Sequence, residues 1–448
     1  MGARQPVAEK ELLDLLERAA ADRHAAAWVV GGYVRDKLLG RPHLDLDVVV
    51  EHGDSLAVAR RFAELAHAPP PVTFERFGTA QVTLPDRLVE FVTARAESYV
   101  TDSRKPAVRR ATLDEDLRRR DFTVNTLLMD VQGKIHDRLG ATNDLEAKVL
   151  RTPADPVQTF SDDPLRMLRG IRFGAELGFE LAPDLIPAMR SLRSRIAPPV
   201  ISTERIADEL RKMLVSPRPK RAFELLDEAD LLAVILPELA ACKGVPQTGY
   251  HTHDVFGHTL LAVEATPPVL LTRLAALFHD VGKPPTAKGD GTFIGHDEVG
   301  AEMAKAALER LRFSQREADA VSRLVRLHLR PVFYRSEWTD GAVRRLARDA
   351  GPLLDRLMAL ARADIAASAY PEPEKLDDLQ ARLDAVREER PSRLQPLVTG
   401  EEIMRARRIG PGPEVGRIKQ KLEELVIDGE IEPERQAIID YLSEHPNL

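Results

Sequence analysis

The stretch WVVGGYVRDKLLGRPHLDLDVVVE, residues 28–51, decides the fold of the first part of the chain. An apolar run ends in Gly31-Gly32, a helical pattern follows, and residues 44–51 have the composition of a strand. This order predicts a strand, a tight turn, a helix and a second strand. Glycines let the backbone approach a ligand and a helix N-terminus favours negative charge, so we expect the turn to hold a triphosphate, with Arg35 within reach of a phosphate.

Two aspartates, Asp45 and Asp47, stand in the second strand of this stretch. Side chains at i and i+2 of a strand point to the same side, and two carboxylates placed there repel each other unless a cation joins them. Oxygen ligands suit Mg²⁺, which bridges carboxylates and substrate phosphates, and two such ions would activate a 3′-hydroxyl and stabilise leaving pyrophosphate. The alternative is a solvated edge strand. Glu90, on a later strand, is a third acidic candidate or a plain surface glutamate.

The rest of the chain divides by secondary-structure pattern. Strands are predicted at 27–30, 80–84 and 88–94, with a helix at 54–68 between them. From about 151 the pattern is helical, as in 163–178, 203–215 and 220–236. We therefore predict an α+β fold: a small mixed-sheet head followed by an all-helical body, a histidine-rich zone and a helical tail. The boundaries expected are 1–150, 151–240, 241–370 and 371–448.

Composition excludes several classes of protein. The chain has 448 residues, 44% hydrophobic and 30% charged, as in soluble globular proteins of more than one domain. No apolar run is long enough for a membrane helix, and the first residues lack a signal-peptide core. Cys242 is the only cysteine, which excludes an internal disulfide and a thiolate zinc site. We expect a cytoplasmic protein. The net charge of the whole chain is −7, which by itself argues against nucleic-acid binding. Binding depends on where the charges lie, so local basic clusters are more informative than the net charge.

Several ordered motifs resemble those of one family. The turn Gly31–Asp36 with Asp45-Leu46-Asp47 resembles the first motif of bacterial class II tRNA nucleotidyltransferases and poly(A) polymerases, of the polymerase beta-like superfamily. Further along the chain, the segments RRDFTVN (119–125), DDPLR (162–166) and TERIADEL (203–210) resemble later motifs. The family usually has Glu-Asp where this chain has Asp162-Asp163. The segments TGEE (399–402) and GPGPEVG (410–416) resemble its C-terminal region.

The resemblance implies roles for these residues. Arg120, Asp121 and Asn125 would contact the nucleotide sugar and phosphates. Asp163, Arg166 and Arg169 are spaced by three, with Arg172 next, so they are expected on one helix face. A carboxylate acceptor and an arginine donor can pair with the edge of cytosine or adenine in place of a template. The alternative is a surface salt bridge between i and i+3.

A locally basic stretch precedes the second motif. It contains Arg104, Lys105, Arg109, Arg110, Arg118, Arg119 and Arg120. In the family this zone is a mobile element that helps switch nucleotide specificity, and it could touch RNA phosphates. The alternative is a solvated charged loop.

The middle of the chain resembles a His-Asp (HD) phosphohydrolase domain. His258, the adjacent pair His279-Asp280 and Asp364 occur in the expected order, and imidazole plus carboxylate suits a divalent metal of unknown identity. His296 and His328 could complete a second metal position. Some family members carry this domain with phosphodiesterase or phosphatase activity, and others carry a decayed copy.

Three hypotheses follow. The first is a CCA-adding enzyme with tRNA, CTP and ATP as partners and Mg²⁺ in the head, the tRNA lying along body and tail. The second keeps this chemistry but adds only CC, only A or poly(A). The third is a metal-dependent phosphohydrolase with the head as a nucleotide-binding module, which the intact pair of Asp45 and Asp47 disfavours.

Overall fold

The computed structural model describes residues 8–42, 45–75, 78–98, 107–250, 252–289, 291–370, 374–388 and 398–446. The chain separates into two units, Met1–Ile235 and Leu236–Leu448. None of the helices described is long and apolar enough to cross a membrane.

The first unit contains one large mixed sheet and two small sheets. The strands of the unit are β1 (Ala26–Val30), β2 (Leu46–Glu51), β3 (Val72–Phe74), β4 (Thr79–Thr83), β5 (Leu88–Thr93), β6 (Arg95–Ser98), β7 (Ala107–Arg110), β8 (Leu128–Met129), β9 (Ile135–His136), β10 (Val149–Leu150) and β11 (Glu180–Leu181). The main sheet has the order β3-β4-β5-β2-β1-β8-β9, in which β2 and β5 are parallel and the other neighbours antiparallel. β6 pairs with β7, and β10 pairs with β11.

The first helices of this unit alternate with the strands, and the later ones follow one another with only the short strand β11 among them. They are α1 (Glu9–Ala21), α2 (Gly32–Leu38), α3 (Ser55–Leu65), α4 (Leu113–Arg118), α5 (Ala141–Ala147), α6 (Pro156–Asp162), α7 (Leu165–Phe173), α8 (Leu185–Ser191), α9 (Thr203–Val215), α10 (Pro219–Glu228) and α11 (Leu232–Ile235). α3 packs on β4 and β5, because the apolar face with Val58 and Phe62 is buried there. α7 packs on α9 and α10.

The second unit is helical throughout the residues described. Its helices are α12 (Pro237–Ala240), α13 (Val255–Ala265), α14 (Leu270–Phe278), α15 (Lys283–Thr286), α16 (His296–Arg310), α17 (Gln315–Leu327), α18 (Leu329–Val332), α19 (Asp340–Ala350), α20 (Leu354–Ala366), α21 (Lys375–Glu388), α22 (Gly400–Arg407), α23 (Pro413–Asp428) and α24 (Arg435–Glu444). α13, α14, α17 and α20 pack together. The last three helices enclose their own core of residues such as Ile403, Leu422 and Leu442. The α+β architecture predicted from the sequence is confirmed.

Candidate functional site

The acidic pair of the head stands at one end of β2. Asp47 is the second residue of the strand and lies in register with Glu90 on β5. Asp45 precedes the strand, and its Oδ1 accepts the N–H of Leu88 at 3.1 Å. Because the intervening Leu46 is buried whereas both aspartates are exposed, alternation along the strand directs both carboxylates away from the core. Glu90 therefore joins the predicted pair as its neighbour.

The electrostatics of Asp47 favour a cation beside its carboxylate. The residue keeps an exposed fraction, but the surrounding protein dehydrates its carboxylate. This desolvation raises the pKa of Asp47 to about 6, opposed by the charge of Arg120 and assisted by the charges of Glu90 and Asp45. A divalent ion between the carboxylates would remove this penalty. The donor set of oxygen ligands therefore fits Mg²⁺.

The turn at Gly31 lies against Asp47. Gly31 has a φ of +82°, and a Cβ placed on it would stand 3.0 Å from Asp47 Oδ2 and 3.6 Å from Arg120 Nη1. Both the left-handed backbone and the close approach require glycine. The turn, the carboxylate and the arginine are thus close neighbours in the head.

A chain of hydrogen-bonded side chains connects this turn to α7. Arg35 is 4% exposed. Its Nη1 donates to Asn125 Oδ1 at 2.8 Å, and its other nitrogens donate to Asp36. Asn125 Nδ2 in turn donates to Asp121 Oδ1 at 3.0 Å, and Arg169 binds the other oxygen of Asp121. The engaged guanidinium of Arg35 favours a positioning role over direct phosphate contact, while its predicted contact with a phosphate stays a prediction.

Asp121 is the centre of this chain. Burial alone would raise the pKa of its carboxyl. The charge of Arg169, and hydrogen bonds from Asn125, Arg169 and the Phe122 N–H, instead lower the pKa of Asp121 to about 2. Asp121 is therefore ionised at neutral pH and holds the second motif and α7 together.

Asp116 positions the two arginines of the second motif, and sequence reasoning missed it. Its fully buried carboxylate accepts from Arg119 Nη2 at 2.6 Å and from Arg120 Nη2 at 3.2 Å. Arg120 Nε is buried and has no hydrogen-bond partner among the described residues. The sequence signal for this role was the spacing of Asp116 with Arg119, at i+3, and Arg120, at i+4, in a helix that begins with a Thr112–Glu115 capping box.

The predicted base-selecting residues do not share one helix face. Asp163 lies between α6 and α7 with extended backbone, φ −139° and ψ 100°, and its Oδ2 pairs with Arg205 Nη2 at 3.1 Å. Arg166 is buried and donates to the backbone oxygens of Thr159 and Arg119. In place of the i, i+3 salt bridge with Arg166 that was the alternative interpretation, Asp163 pairs with Arg205, which sequence reasoning did not single out.

Arg172 completes the set at the end of α7. Its Nε donates to Glu209 Oε2 at 2.6 Å and its Nη1 to Glu176 Oε2 at 2.7 Å. The guanidinium also lies 4.1 Å from the centroid of the Phe173 ring. These contacts bury Arg172 and join α7 to α9.

The basic stretch before the second motif is described only in part. Arg104 and Lys105 lie outside the described residues, and of Arg109 and Arg110 the structure describes the backbone alone, in β7. Arg118 ends α4, and Arg119 and Arg120 follow it. The predicted specificity loop therefore stays a prediction.

The second unit contains a cluster of four histidines, and a backbone oxygen near each ring fixes its orientation. The Nδ1 atoms of His258, His279, His296 and His328 lie 3.3, 2.8, 2.8 and 2.6 Å from the backbone oxygens of Ala367, Ala276, Phe293 and Val325. A carbonyl can only accept, so each neutral ring carries its proton on Nδ1 and presents the Nε2 lone pair inward. This arrangement is typical of metal-ligating histidines.

Two aspartates complete this cluster. Asp364 Oδ1 lies 3.0 Å from His258 Nε2. Asp280 directs Oδ2 toward His279 Nε2, at 3.1 Å, and Oδ1 toward His296 Nε2, at 3.4 Å. In each of two groups the ligand atoms lie within 4.8 Å of one another; they are His258, His279, Asp364 and Asp280, His296, His328. The predicted residues meet here, and Asp280 stands between both groups.

Burial and neighbouring charges shift the pKa values of two histidines in the cluster in opposite directions. Burial would lower the pKa of His279, but the carboxylates of Asp280 and Asp364 raise it to about 9. Burial and the neighbouring His279 lower the pKa of His328 to about 4. The Nε2 atoms of His296 and His328 are buried and lack a hydrogen-bond partner among the described residues. Two unpartnered imidazole nitrogens beside a carboxylate fit a metal position.

A cavity of about 440 Å³ opens beside these ligands. Asp280, His296, His328 and Asp364 form its polar wall together with Lys283, whose Nζ lies 2.7 Å from Asp280 Oδ2. Phe293, Ile294, Phe333 and Tyr370 form its apolar wall. A metal bound at the cluster would therefore face a space that admits a small molecule.

Family models match three parts of the chain. A poly A polymerase head domain matches residues 27–151, a probable RNA- and SrmB-binding site of polymerase A matches 178–243, and an HD domain matches 248–368. An A-adding tRNA nucleotidyltransferase of Deinococcus radiodurans is 33% identical over 92% of this chain and 94% of its own length. The chain belongs to the tRNA nucleotidyltransferase and poly(A) polymerase family.

Other relatives in this family differ in the product that their names give. A CC-adding tRNA nucleotidyltransferase of Thermus thermophilus is 35% identical over 92% of each chain. A multifunctional CCA protein of Neisseria gonorrhoeae is 35% identical over 67% of this chain and 73% of its own. The crystal structure of a Bacillus stearothermophilus CCA-adding enzyme with CTP superposes with a TM-score of 0.71 at 24% identity, covering 97% of this chain and 96% of that one, which shows the shared fold.

Proposed function

We propose that this family member adds the complete CCA sequence to the 3′ end of tRNA, using CTP and ATP and releasing pyrophosphate. The observation that carries the proposal is the approach of the Gly31 turn to Asp47. A Cβ on Gly31 would stand 3.0 Å from the Asp47 carboxylate, so the bare backbone of the turn lies directly beside a metal-binding group. The relatives named for CCA, CC and A addition support tRNA as the acceptor.

Each residue of the head has a part in this reaction. Asp45 and Asp47 would hold Mg²⁺, which supplies charge neutralisation at the phosphates and lowers the pKa of the attacking 3′-hydroxyl. The backbone of Gly31 and Gly32 receives the triphosphate, and Arg120, held by Asp116, provides a cation beside it. Asp121 and Asn125 stand on the sugar side in this proposal.

Base selection belongs to the region around α7. In the proposed reaction Asp163 accepts a hydrogen bond from the exocyclic amine of cytosine or adenine. Arg169 and Arg172 hold the helix through Asp121 and Glu209. Arg166 as the second base-reading group stays a prediction.

A set of acceptor RNAs tests the product. Transcripts of one tRNA that lack CCA, end in C or end in CC would be incubated with CTP alone, ATP alone or both. Complete CCA addition requires two C additions from CTP and one A addition after CC. Addition of C alone would make the chain a CC-adding enzyme, and addition of A alone an A-adding enzyme. Repeated A addition to any RNA would make it a poly(A) polymerase.

The second unit supports a further candidate function, metal-dependent phosphohydrolysis. Two groups of closely spaced imidazole and carboxylate ligands favour it, because Asp280, His296, His328 and Asp364 of these groups also line one cavity. His258, His279, Asp280 and Asp364 would hold a divalent ion that supplies Lewis acidity, with His296 and His328 at a second position, and Lys283 would face a phosphate. His279→Ala should abolish hydrolysis of bis(p-nitrophenyl) phosphate and leave nucleotide addition intact. Equal hydrolysis by both proteins would refute this candidate.

The division of labour follows the four zones expected from the sequence. We assign transfer to 1–150, nucleotide selection and RNA binding to 151–240, the HD site to 241–370 and tRNA binding to the helical tail at 371–448. A location in the cytoplasm, where tRNA maturation takes place, accords with these partners.

A further inference from the structure

Tyr33 follows the two glycines of the turn directly and lies in the first turn of α2. The residue is 4% exposed. Its hydroxyl donates to Oε2 of Glu9, in the first turn of α1, at 2.8 Å, and Lys37 binds the other oxygen of Glu9. Burial and the Glu9 carboxylate raise the pKa of Tyr33, so the hydroxyl keeps its proton and stays a donor. The helix that follows the turn is therefore connected to α1 through one phenol oxygen.

A second residue, Arg87, forms a side-chain hydrogen bond with the same hydroxyl. A guanidinium can only donate, so the Tyr33 oxygen accepts from Arg87 while it donates to Glu9. Arg87 ends the turn between β4 and β5, where its backbone oxygen accepts the N–H of Leu84 at 2.9 Å. Its side chain is 10% exposed and pairs with Asp86 at 2.7 Å. The hydroxyl thus joins α1, α2 and the turn before β5.

The residue after Arg87 holds one of the two carboxylates of the head. The Leu88 N–H donates to Asp45 Oδ1 at 3.1 Å. Asp47 is placed by the pairing of β2 with β5, whereas Asp45 precedes β2 and this backbone donor orients its carboxylate. The position of Arg87 therefore affects how Asp45 stands beside Asp47.

A buried hydroxyl between a carboxylate and a guanidinium needs both partners, whereas a phenyl ring alone would fill the same space with neither. What the hydroxyl adds is a fixed relation between the helix after the Gly31 turn and the backbone that holds Asp45. We propose that Tyr33 is a positioning residue, which sets the metal ligand Asp45 against the turn at Gly31. The inference rests on the proposed nucleotide transfer and assigns to Tyr33 a role in the metal affinity of that site.

Tyr33→Phe tests the proposal, because it removes the hydroxyl and keeps the ring. Electron paramagnetic resonance of free Mn²⁺ measures binding without turnover. Ions that a chain with Asp45→Ala and Asp47→Ala still binds belong to the second unit and are subtracted. The dissociation constant of the head for Mn²⁺ should rise about 10-fold, the lower end of the effect of replacing an outer-shell partner. The Mg²⁺ concentration that gives half-maximal CTP addition should rise by a similar factor.

Tyr334→Phe is the matched control. Tyr334 is 2% exposed, and its hydroxyl also donates to an aspartate, Asp378, and accepts from an arginine, Arg382, at 3.2 Å. It lies in the second unit. Both variants should lose similar stability in thermal unfolding, but Tyr334→Phe should keep the wild-type Mn²⁺ affinity of the head. A folded Tyr33→Phe with wild-type affinity, or an equal loss in Tyr334→Phe, would overturn the inference.

Arg87→Gln removes the same hydrogen bond from its other end and serves if Tyr33→Phe is unstable. It should also raise the dissociation constant for Mn²⁺. The double variant should show less than the product of the two single effects, because both remove one bond, and effects that multiply would overturn the inference.

The Mn²⁺ measurement separates this inference from the proposed function. If the wild type adds no nucleotide but the Mn²⁺ affinity of its head depends on Tyr33, the proposed function is wrong and the positioning role stands. If the wild type adds nucleotides and its Mn²⁺ affinity is independent of Tyr33, the inference alone is wrong. A wild-type head that binds no Mn²⁺ would overturn both.

Discussion

Arg169 binds Asp121 with two nitrogens, Nε at 2.8 Å and Nη2 at 2.6 Å from the same carboxylate oxygen. The other oxygen of Asp121 accepts from Asn125 and from the Phe122 N–H. The pair joins α7 to the second motif, so both the stability of the first unit and the placement of nucleotide-binding residues depend on one ionised carboxylate.

Asp121→Asn should therefore remove a pH-dependent part of the stability. The pKa of Asp121 is lowered to about 2 in the folded chain, from 3.8. Its contribution, about 2 kcal/mol, is fully present above pH 4 and is lost as the pH falls toward 2. Urea unfolding at pH 6, 4 and 3 measures it. The difference in the free energy of unfolding between wild type and variant should become smaller below pH 4. A difference that does not change with pH would contradict the lowered pKa of Asp121.

Gly31→Ala should stop nucleotide transfer. The substitution strains a φ of +82° and brings a methyl group to 3.0 Å from Asp47 Oδ2, so either the turn or the carboxylate must move. We expect at least about a 100-fold loss of kcat and a stability loss of about 1–3 kcal/mol. Gly40→Ala is the matched control, because Gly40 has a φ of +64° but nothing within 4 Å of its Cβ position. Similar kcat values for both variants would show that the contact with Asp47 is unimportant.

Asp116→Asn should weaken nucleotide binding more than it slows chemistry. The substitution removes the charge that orients Arg119 and Arg120, so KM for CTP should rise about tenfold, the worth of one charge-assisted hydrogen bond. Steady-state kinetics with saturating tRNA separates KM from kcat. Asp114→Asn is the control on the same helix, since Asp114 pairs with Arg138 at 2.7 Å and is 62% exposed. A fall in kcat at constant KM would argue against the positioning role of Asp116.

Gly282→Ala should remove one of two metal ions from the second unit. A Cβ on Gly282 would lie 2.1 Å from the His296 backbone oxygen. Relieving this clash moves α16, and with it His296, away from Asp280. The titration uses metal-free chains in which Asp45 and Asp47 are replaced by alanine, so that only the second unit binds Mn²⁺. It should find two equivalents for the chain with Gly282 and one for Gly282→Ala. Gly416→Ala, whose Cβ position has nothing within 4 Å, should bind two. Two equivalents in both variants would contradict this prediction.

The sequence predicted the elements of the head closely, because alternation and glycine turns are local signals. The strands expected at 27–30 and 88–94 are found at Ala26–Val30 and Leu88–Thr93. The helix expected at 203–215 has those bounds. The helix expected at 220–236 is instead two helices, because Asp230 adopts a φ of +56° and interrupts it. Periodicity alone does not detect such a break.

The site was predicted less completely, for a physical reason. Asp45, Asp47 and Gly31 are close in sequence and their relation follows from one strand–turn–helix unit. The partner of Asp163 depends on how α9 packs beside α7, and the burial of Arg166 depends on the backbone of the second motif. Spacing on a helix could name candidates for base selection, but tertiary contacts decide which of them faces outward.

The hydrogen-bonded series from Asp36 through Arg35, Asn125 and Asp121 to Arg169 also bears on how this protein can change. Each member forms a hydrogen bond to the next one through its charged group or its amide. A single replacement therefore leaves a neighbouring side chain without its hydrogen-bond partner, and only coordinated replacements conserve the series. Arg205 and Asp163 stand outside it and depend on few neighbours. An effort to evolve this protein should therefore hold the series constant and vary exposed positions outside it.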